Sequence, residues 1–119
     1  MSRPKNKTQK KIDHNLCQSL TEACEKFLED TPGFQWITHH ANYNNFPASL
    51  RVHCIFDTQL NQQQAEDNGH CQQMQQCIQS QLLNSPIALK LDQRKIFFDS
   101  EQACEKEHSG DWERRLAHH

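Results

Sequence analysis

Apolar residues recur every three or four positions in the first part of the chain, which is the spacing of one face of an α-helix. Ile12, Leu16, Leu20, Ala23 and Phe27 form this stripe and predict a helix over about residues 10–29. The Thr-Pro-Gly sequence at 31–33 follows, and proline cannot continue the hydrogen-bond ladder of a helix. We therefore expect the helix to end there.

Two strands are predicted next, over residues 34–40 and 50–57. In the second, Leu50, Val52, Cys54 and Phe56 alternate with polar residues, and only Ile55 interrupts the polar face. A period of two is typical of a strand with one buried face. An Asn-rich loop separates the two stretches, so we expect them to pair antiparallel.

The second half of the chain predicts helix, strand, strand and helix. Asp57 or Thr58 can cap a short helix or turn near 58–66, and Asn-Gly at 68–69 separates it from a main helix over about 69–83. Residues 87–91 and 95–98 predict a hairpin around 92–94. Asp99 or Ser100 can cap a last helix that stops near residue 110, after which Trp112 and Leu116 are expected to dock on the body.

These elements predict an α+β fold with the order helix-strand-strand-helix-strand-strand-helix. The apolar positions would be buried by a four-stranded, mainly antiparallel sheet with the helices packed on one face. A length of 119 residues is typical of one domain. We expect residues 1–11 to form a basic flexible N-terminal arm and residues 12–119 a single domain.

Composition excludes some classes of protein. The hydrophobic fraction is 34% and the mean hydropathy −0.96, so the core must be small, and no apolar run is long enough to cross a bilayer. The first residues lack the apolar stretch of a secretory signal, so we expect a cytoplasmic protein without a membrane partner. Six cysteines, at 17, 24, 54, 71, 77 and 104, are then expected to be reduced.

The formal net charge of −2 conceals an uneven distribution. The first eleven residues contain no acid and five bases, which are Arg3, Lys5, Lys7, Lys10 and Lys11. The rest of the chain has more acidic than basic residues. Such an arm either contacts a phosphate backbone or is an ordinary solvated tail.

Catalysis and metal binding are not favoured by the motifs. The chain has no CxxC, HxxxH, HExxH or GxSxG spacing and only three glycines, too few to form a Gly-rich phosphate loop. His53 and Cys54 are adjacent on a strand and point to opposite faces, so they cannot act as base and nucleophile. We therefore expect no enzyme, metal or cofactor. The open alternative is an unrecognised thiol or metal-dependent enzyme, for which His53, His70 and Cys71 are the best ligand candidates.

A binding surface is the remaining candidate. The sheet face opposite the helices would present Arg51 and His53, joined by Lys90 and Lys95 with Phe97 as a stacking platform. The basic arm, with Lys5, Lys7, Lys10 and Lys11, would extend this surface. The competing interpretation is that this face meets water or a second copy of the chain. Against a nucleic-acid ligand stands the acidic body, which repels a polyphosphate.

Two groups of segments resemble a known family. They are Gly33-Phe-Gln-Trp-Ile-Thr-His with Phe46-Pro-Ala-Ser-Leu-Arg-Val-His-Cys-Ile-Phe-Asp-Thr, and Phe98-Asp-Ser-Glu-Gln-Ala-Cys with Gly110-Asp-Trp-Glu-Arg-Arg-Leu. Over about residues 12–116 the chain resembles a family of small, uncharacterised proteobacterial proteins, some automatically labelled Fis-type transcriptional regulators. The label implies a helix-turn-helix with a basic recognition helix, whereas residues 101–108 here are rich in glutamate. The resemblance implies no catalytic residues.

We therefore expect a non-enzymatic cytoplasmic binding module, which could act as a homodimer. A nucleic-acid-binding or transcription-associated regulator is the alternative within the same class.

Overall fold

The computed structural model describes residues 7–117, which form a three-stranded sheet and five α-helices. In chain order the elements are α1 (Lys7–Asp30), β1 (Phe34–His40), β2 (Arg51–Phe56), α2 (Gln59–Asp67), α3 (His70–Leu83), β3 (Ile96–Ser100), α4 (Glu101–His108) and α5 (Trp112–Leu116), with short 3-10 helices at Tyr43–Asn45 and Gln93–Lys95. The mixed α+β class is confirmed.

Helix α1 begins three residues earlier than predicted. Lys7, Lys10 and Lys11, which the sequence assigned to a flexible arm, lie in its first turns. Lys5 and the rest of the predicted arm lie outside the described residues. The predicted apolar stripe is buried from Leu16 to Phe27, whereas Ile12 at its start is only partly buried.

The sheet has the order β1-β2-β3 and mixed strand directions. Strands β1 and β2 pair antiparallel as predicted, with an irregularity between Phe34 and Trp36. Strand β3 pairs parallel to β2, so the prediction of a four-stranded, mainly antiparallel sheet is wrong. A parallel pair needs a long crossover, and α2 and α3 provide it.

The sequence predicted a strand over residues 87–91, and in the structure these residues form no strand. Leu89 and Leu91 are buried, as their alternation suggested. Their backbone groups pair with α3, however: Leu89 N donates to Leu82 O at 3.0 Å, and Gln79 Nε2 donates to Leu91 O at 2.9 Å. The alternation thus predicted the burial of these side chains correctly, but the backbone of this segment forms hydrogen bonds with α3 and not with a strand.

Helices lie on both faces of the sheet, which corrects the prediction of helices on one face. On the inner face, Leu16 and Leu20 of α1 and Ile78 of α3 share a core with Val52 and Phe56 of β2. On the outer face, Trp112 of α5 contacts Trp36 of β1, with ring centroids 4.9 Å apart in a T-shaped arrangement. The predicted docking of Trp112 is therefore confirmed.

Local signals set the helix ends. Thr58 Oγ1 accepts from Asn61 N at 3.1 Å at the start of α2, and Ser100 Oγ accepts from Ala103 N at 3.0 Å at the start of α4. Gly69, with a φ of 88°, separates α2 from α3. The sequence offered two candidate caps at the starts of both α2 and α4, and in both cases the second one is the cap.

Candidate functional site

The outer face of the sheet is built from three rows of residues paired across the strands. The first row is Trp36, Ile55 and Asp99; the second is Thr38, His53 and Phe97; the third is His40 and Arg51. The rows follow one another along the strands. The first row lies at the end of the sheet that α4 and α5 cover, and the third lies at the end where a loop joins β1 to β2. The rows differ in how far they are covered, and this difference defines the candidate site.

The first row is closed by α4 and α5. Arg115 of α5 donates from Nε to Asp99 Oδ2 at 2.5 Å and from Nη2 to Asp99 Oδ1 at 2.8 Å. Trp36 Nε1 donates to Glu101 Oε1 at 2.9 Å. Ile55 is fully buried in this layer. The carboxylate of Asp99 raises the pKa of Arg115, so the guanidinium is charged at every physiological pH. These contacts attach α5 and the start of α4 to the sheet.

The second row corrects the expected exposure of His53. Its side chain faces outward as predicted, but His53 is only 1% exposed. Its ring stacks on Phe97 with centroids 5.2 Å apart and planes 21° apart. One face of Phe97, the predicted stacking platform, is therefore occupied by His53.

The third row opens into a groove of about 900 Å³. Thr38 and His40 of β1, with Arg51 and His53 of β2, form its floor, and Glu113 and Leu116 of α5 form one wall. The loop between β1 and β2 supplies the other wall through Asn42, Asn45 and Ser49. This loop is held in shape by Ser49 Oγ, which donates to Asn42 O and accepts from Asn42 N, both at 2.9 Å.

Of the sequence-predicted site residues, the structure brings three together. Arg51, His53 and Phe97 share the outer face, and Arg51 and His53 line the groove. Lys90 instead lines a separate pocket against α3, and Lys95 lies in the 3-10 helix before β3. The predicted basic sheet face is thus only partly assembled.

A second cluster, which the sequence analysis missed, lies where the start of α1 meets the end of β1. One ligand atom from each of Asp13, Cys17 and His39 lies within 4.8 Å of the others. Tyr43 Oη donates to Asp13 Oδ1 at 2.5 Å, and His39 Nε2 is 3.5 Å from the same oxygen. Burial and the hydrogen bond to Asp13 raise the pKa of Tyr43 well above its usual range, so its hydroxyl remains a donor.

The spacing of Asp13 and Cys17 was the available signal for this cluster. Residues four apart on a helix lie on one face, one turn from each other. The common zinc motifs pair Cys and His with each other, and an Asp-x3-Cys pair is not among them. His39 comes from a distant strand, and only the fold brings it to the pair.

The other thiols have the properties of packing residues. Burial raises the pKa of Cys71 to about 12 and moves the pKa of Cys54 still further up. It also raises the pKa values of Cys24, Cys77 and Cys104. A thiol with a raised pKa is protonated at neutral pH and is a poor nucleophile.

Across residues 7–117 no helix combines the length and the apolar character needed to span a bilayer. Comparison of the chain with protein-family models, with curated proteins and with solved structures finds no match. The resemblance to proteins labelled as Fis-type regulators therefore stays a prediction.

Proposed function

We propose that the protein is a non-enzymatic cytoplasmic binding module that holds a short acidic segment of a partner protein in the groove on the outer face of the sheet. The observation that carries this proposal is the groove itself, with Arg51 on its floor and polar side chains on the loop wall. A volume of about 900 Å³ is within the range of sites that enclose a small ligand or a few residues of a peptide.

The donors in the groove favour an anionic ligand. Arg51 presents a guanidinium, which recognises carboxylates with two parallel hydrogen bonds. The side-chain amides of Asn42 and Asn45 add neutral donors. Glu113 supplies the one carboxylate among the described lining residues, and its place on the α5 wall would orient a ligand towards the loop wall.

Charge elsewhere in the molecule supports a short acidic segment. Asp13 contacts His39 at the loop end of β1, so Lys10 and Lys11, within one turn of Asp13, lie at the same end of the molecule as His40 and Arg51. These cations would attract an acidic segment. A long polyphosphate would also meet the acid-rich remainder of the chain, which repels it. The ring of Phe97 has one face covered by His53, which weakens the case for base stacking.

The thiols support a binding role in a reducing compartment. None of the six cysteines, all within residues 7–117, forms a disulfide, which is typical of cytoplasmic proteins. The raised pKa values of the buried thiols make them poor nucleophiles. Self-association stays a prediction, and light scattering at several protein concentrations tests it.

Fluorescence anisotropy with a labelled poly-glutamate peptide tests the proposed ligand class. We expect the purified full chain to bind this peptide and Arg51→Gln to bind it about ten- to a hundredfold more weakly, since a hydrogen bond to a charged group contributes about 1.5–3 kcal/mol. Arg94→Gln is the matched control, because Arg94 is an exposed arginine paired with Asp92 outside the groove. It should bind as the wild type does.

A labelled single-stranded oligonucleotide and an uncharged poly-glutamine peptide complete the experiment. Equal binding of the two peptides, or equal loss in the Arg51 and Arg94 variants, contradicts the proposal. Tighter, Arg51-dependent binding of the oligonucleotide would replace it with the nucleic-acid alternative. Circular dichroism of each variant shows that the fold is retained.

A further inference from the structure

We infer that Asp13, Cys17 and His39 form a zinc site that joins helix α1 to strand β1. This inference does not depend on the proposed groove ligand, although His39 also lines the groove. It rests on the convergence of a carboxylate, a thiol and an imidazole, whose ligand atoms lie within 4.8 Å of one another.

The three ligand types select the metal. Zn²⁺ binds Cys sulfur, His nitrogen and carboxylate oxygen, whereas Ca²⁺ and Mg²⁺ prefer sites made of oxygen alone. A site with one sulfur, one nitrogen and one carboxylate is therefore a poor match to Ca²⁺ or Mg²⁺ and a good match to Zn²⁺.

The geometry needs only a small closure. Zinc–ligand bonds of about 2.0–2.3 Å at tetrahedral angles place ligand atoms about 3.5 Å apart. The contact between His39 Nε2 and Asp13 Oδ1 is already 3.5 Å. Since all ligand atoms lie within 4.8 Å of one another, the cluster must close by no more than about 1.3 Å. Side-chain rotation can supply this, because Cys17 is an exposed residue on a helix surface.

The surroundings of the cluster also suit a metal ion. Tyr43 donates to Asp13 Oδ1 and holds the carboxylate in place, as a residue outside the coordination sphere commonly does for a metal ligand. A pocket of about 330 Å³ lined by Cys17, Thr21, Ile37 and His39 adjoins the cluster. It gives an ion a route in and leaves room for water as a fourth ligand.

The consequence is a link between two elements that are distant in the sequence. Asp13 and Cys17 belong to the second and third turns of α1, and His39 to the end of β1. An ion held by all three would stabilise the folded state by an amount that grows with the logarithm of its affinity, because the unfolded chain holds no preformed site. It would also fix the end of β1, where the loop wall of the groove begins.

Binding of Zn²⁺ and Co²⁺ to the chelator-treated full chain tests the inference. We expect one equivalent of Zn²⁺, measured by chelator competition, and a rise in the melting temperature. Co²⁺ in its place should give a thiolate-to-cobalt charge-transfer band and the intense visible bands of a tetrahedral site. Bound Zn²⁺ should also slow the reaction of Cys17 with a thiol reagent.

Matched variants separate this site from weak binding by surface histidines and thiols. Cys17→Ser should abolish the charge-transfer band and weaken Zn²⁺ binding more than about a hundredfold, since even residues outside the coordination sphere cost about ten- to a hundredfold. His39→Gln should weaken Zn²⁺ binding comparably. Cys77→Ser and His40→Gln, a thiol and an imidazole outside the cluster, should leave it unchanged.

Tyr43→Phe tests the positioning role of the hydroxyl that holds Asp13. It should weaken Zn²⁺ binding by about ten- to a hundredfold and shift the cobalt bands while one equivalent still binds.

Several results would overturn the inference. Absence of a one-equivalent site, or equal binding by Cys17→Ser and Cys77→Ser, excludes Cys17 as a ligand. Loss of binding in His40→Gln with binding retained in His39→Gln would move the site elsewhere. Because Cys17 is exposed, Cys17→Ser should fold normally, and circular dichroism of the apo form verifies this.

Discussion

Replacing Arg115 with alanine removes the side chain that ties α5 to the sheet. The guanidinium makes two hydrogen bonds to Asp99 and one, of 2.5 Å, to Glu107. The Arg115 side chain is 13% exposed and that of Asp99 only 8%, so this ion pair is largely removed from water. The Glu107 side chain is 56% exposed and contributes less.

The loss of stability in Arg115→Ala depends on the hydrogen bonds that Asp99 still makes without the guanidinium. Removing one partner of a buried ion pair costs about 3–5 kcal/mol, because the other charge remains in a poorly solvated place. After Arg115→Ala, Asp99 Oδ1 still accepts from Ser100 N at 2.8 Å. We therefore expect the lower end, about 3 kcal/mol, which for a chain of this length corresponds to a fall in melting temperature of about 12 °C.

Urea unfolding followed by circular dichroism and by tryptophan emission measures this loss. The chain has two tryptophans, and Trp36 and Trp112 face each other across the contact that Arg115 supports, so emission reports the docking of α5 directly. The neighbouring Arg114→Ala is the control, because Arg114 is exposed, and it should change stability by less than about 0.5 kcal/mol. A cost below about 1 kcal/mol for Arg115→Ala, or equal costs for the two variants, would refute the reasoning.

Three further predictions concern the core and the thiols. Leu82→Ala should lower the free energy of unfolding, measured in urea, by about 2–5 kcal/mol, because Leu82 is fully buried. Leu83→Ala should lower it far less, because Leu83 is 54% exposed. Equal losses in the two variants would contradict the packing of α3. The free energy of unfolding should fall as pH rises above about 9, because burial raises the folded pKa values of Cys54 and Cys71 above those of the unfolded thiols. The unfolded chain therefore loses these protons first. The fall with pH should be shallower in Cys71→Ala, and an unchanged slope in this variant would argue against this origin. A thiol reagent at pH 8 should react fastest with the exposed Cys17 and slowly with Cys54 until the chain unfolds, and a fast phase that survives in Cys17→Ser would contradict this.

The elements that the sequence predicted well depend on neighbours along the chain. The apolar stripe from Leu16 to Phe27 placed α1, and the alternation from Val52 to Phe56 placed β2. The polar pairs Asp57-Thr58 and Asp99-Ser100 marked helix starts, because a capping side-chain oxygen needs only the backbone N–H three residues later. Each of these interactions is complete within a few residues, so local pattern was enough.

The candidate sites were predicted less well, because they combine distant residues. Alternation put Arg51 and His53 on the outer face, but the burial of His53 depends on Phe97 of β3, which lies 44 positions later. The cluster of Asp13, Cys17 and His39 joins one helix turn to a strand end. Neither spacing nor composition indicates such a meeting before the strand register is known.

What the sequence determined by itself is the class of the fold, the ends of most helices and which side chains are apolar enough to be buried. What only the tertiary structure decided is the partner of each buried group. Leu89 and Leu91 show the difference, because their alternation requires burial but leaves open whether the backbone pairs with a strand or with α3. A buried backbone group must find a hydrogen-bond partner, and the nearest partner in space is set by the packing of the whole chain. The same reason applies to Asp99 of β3 and Arg115 of α5. Local sequence can indicate the strand and the helix, but only the packing of the chain brings the two charged side chains together.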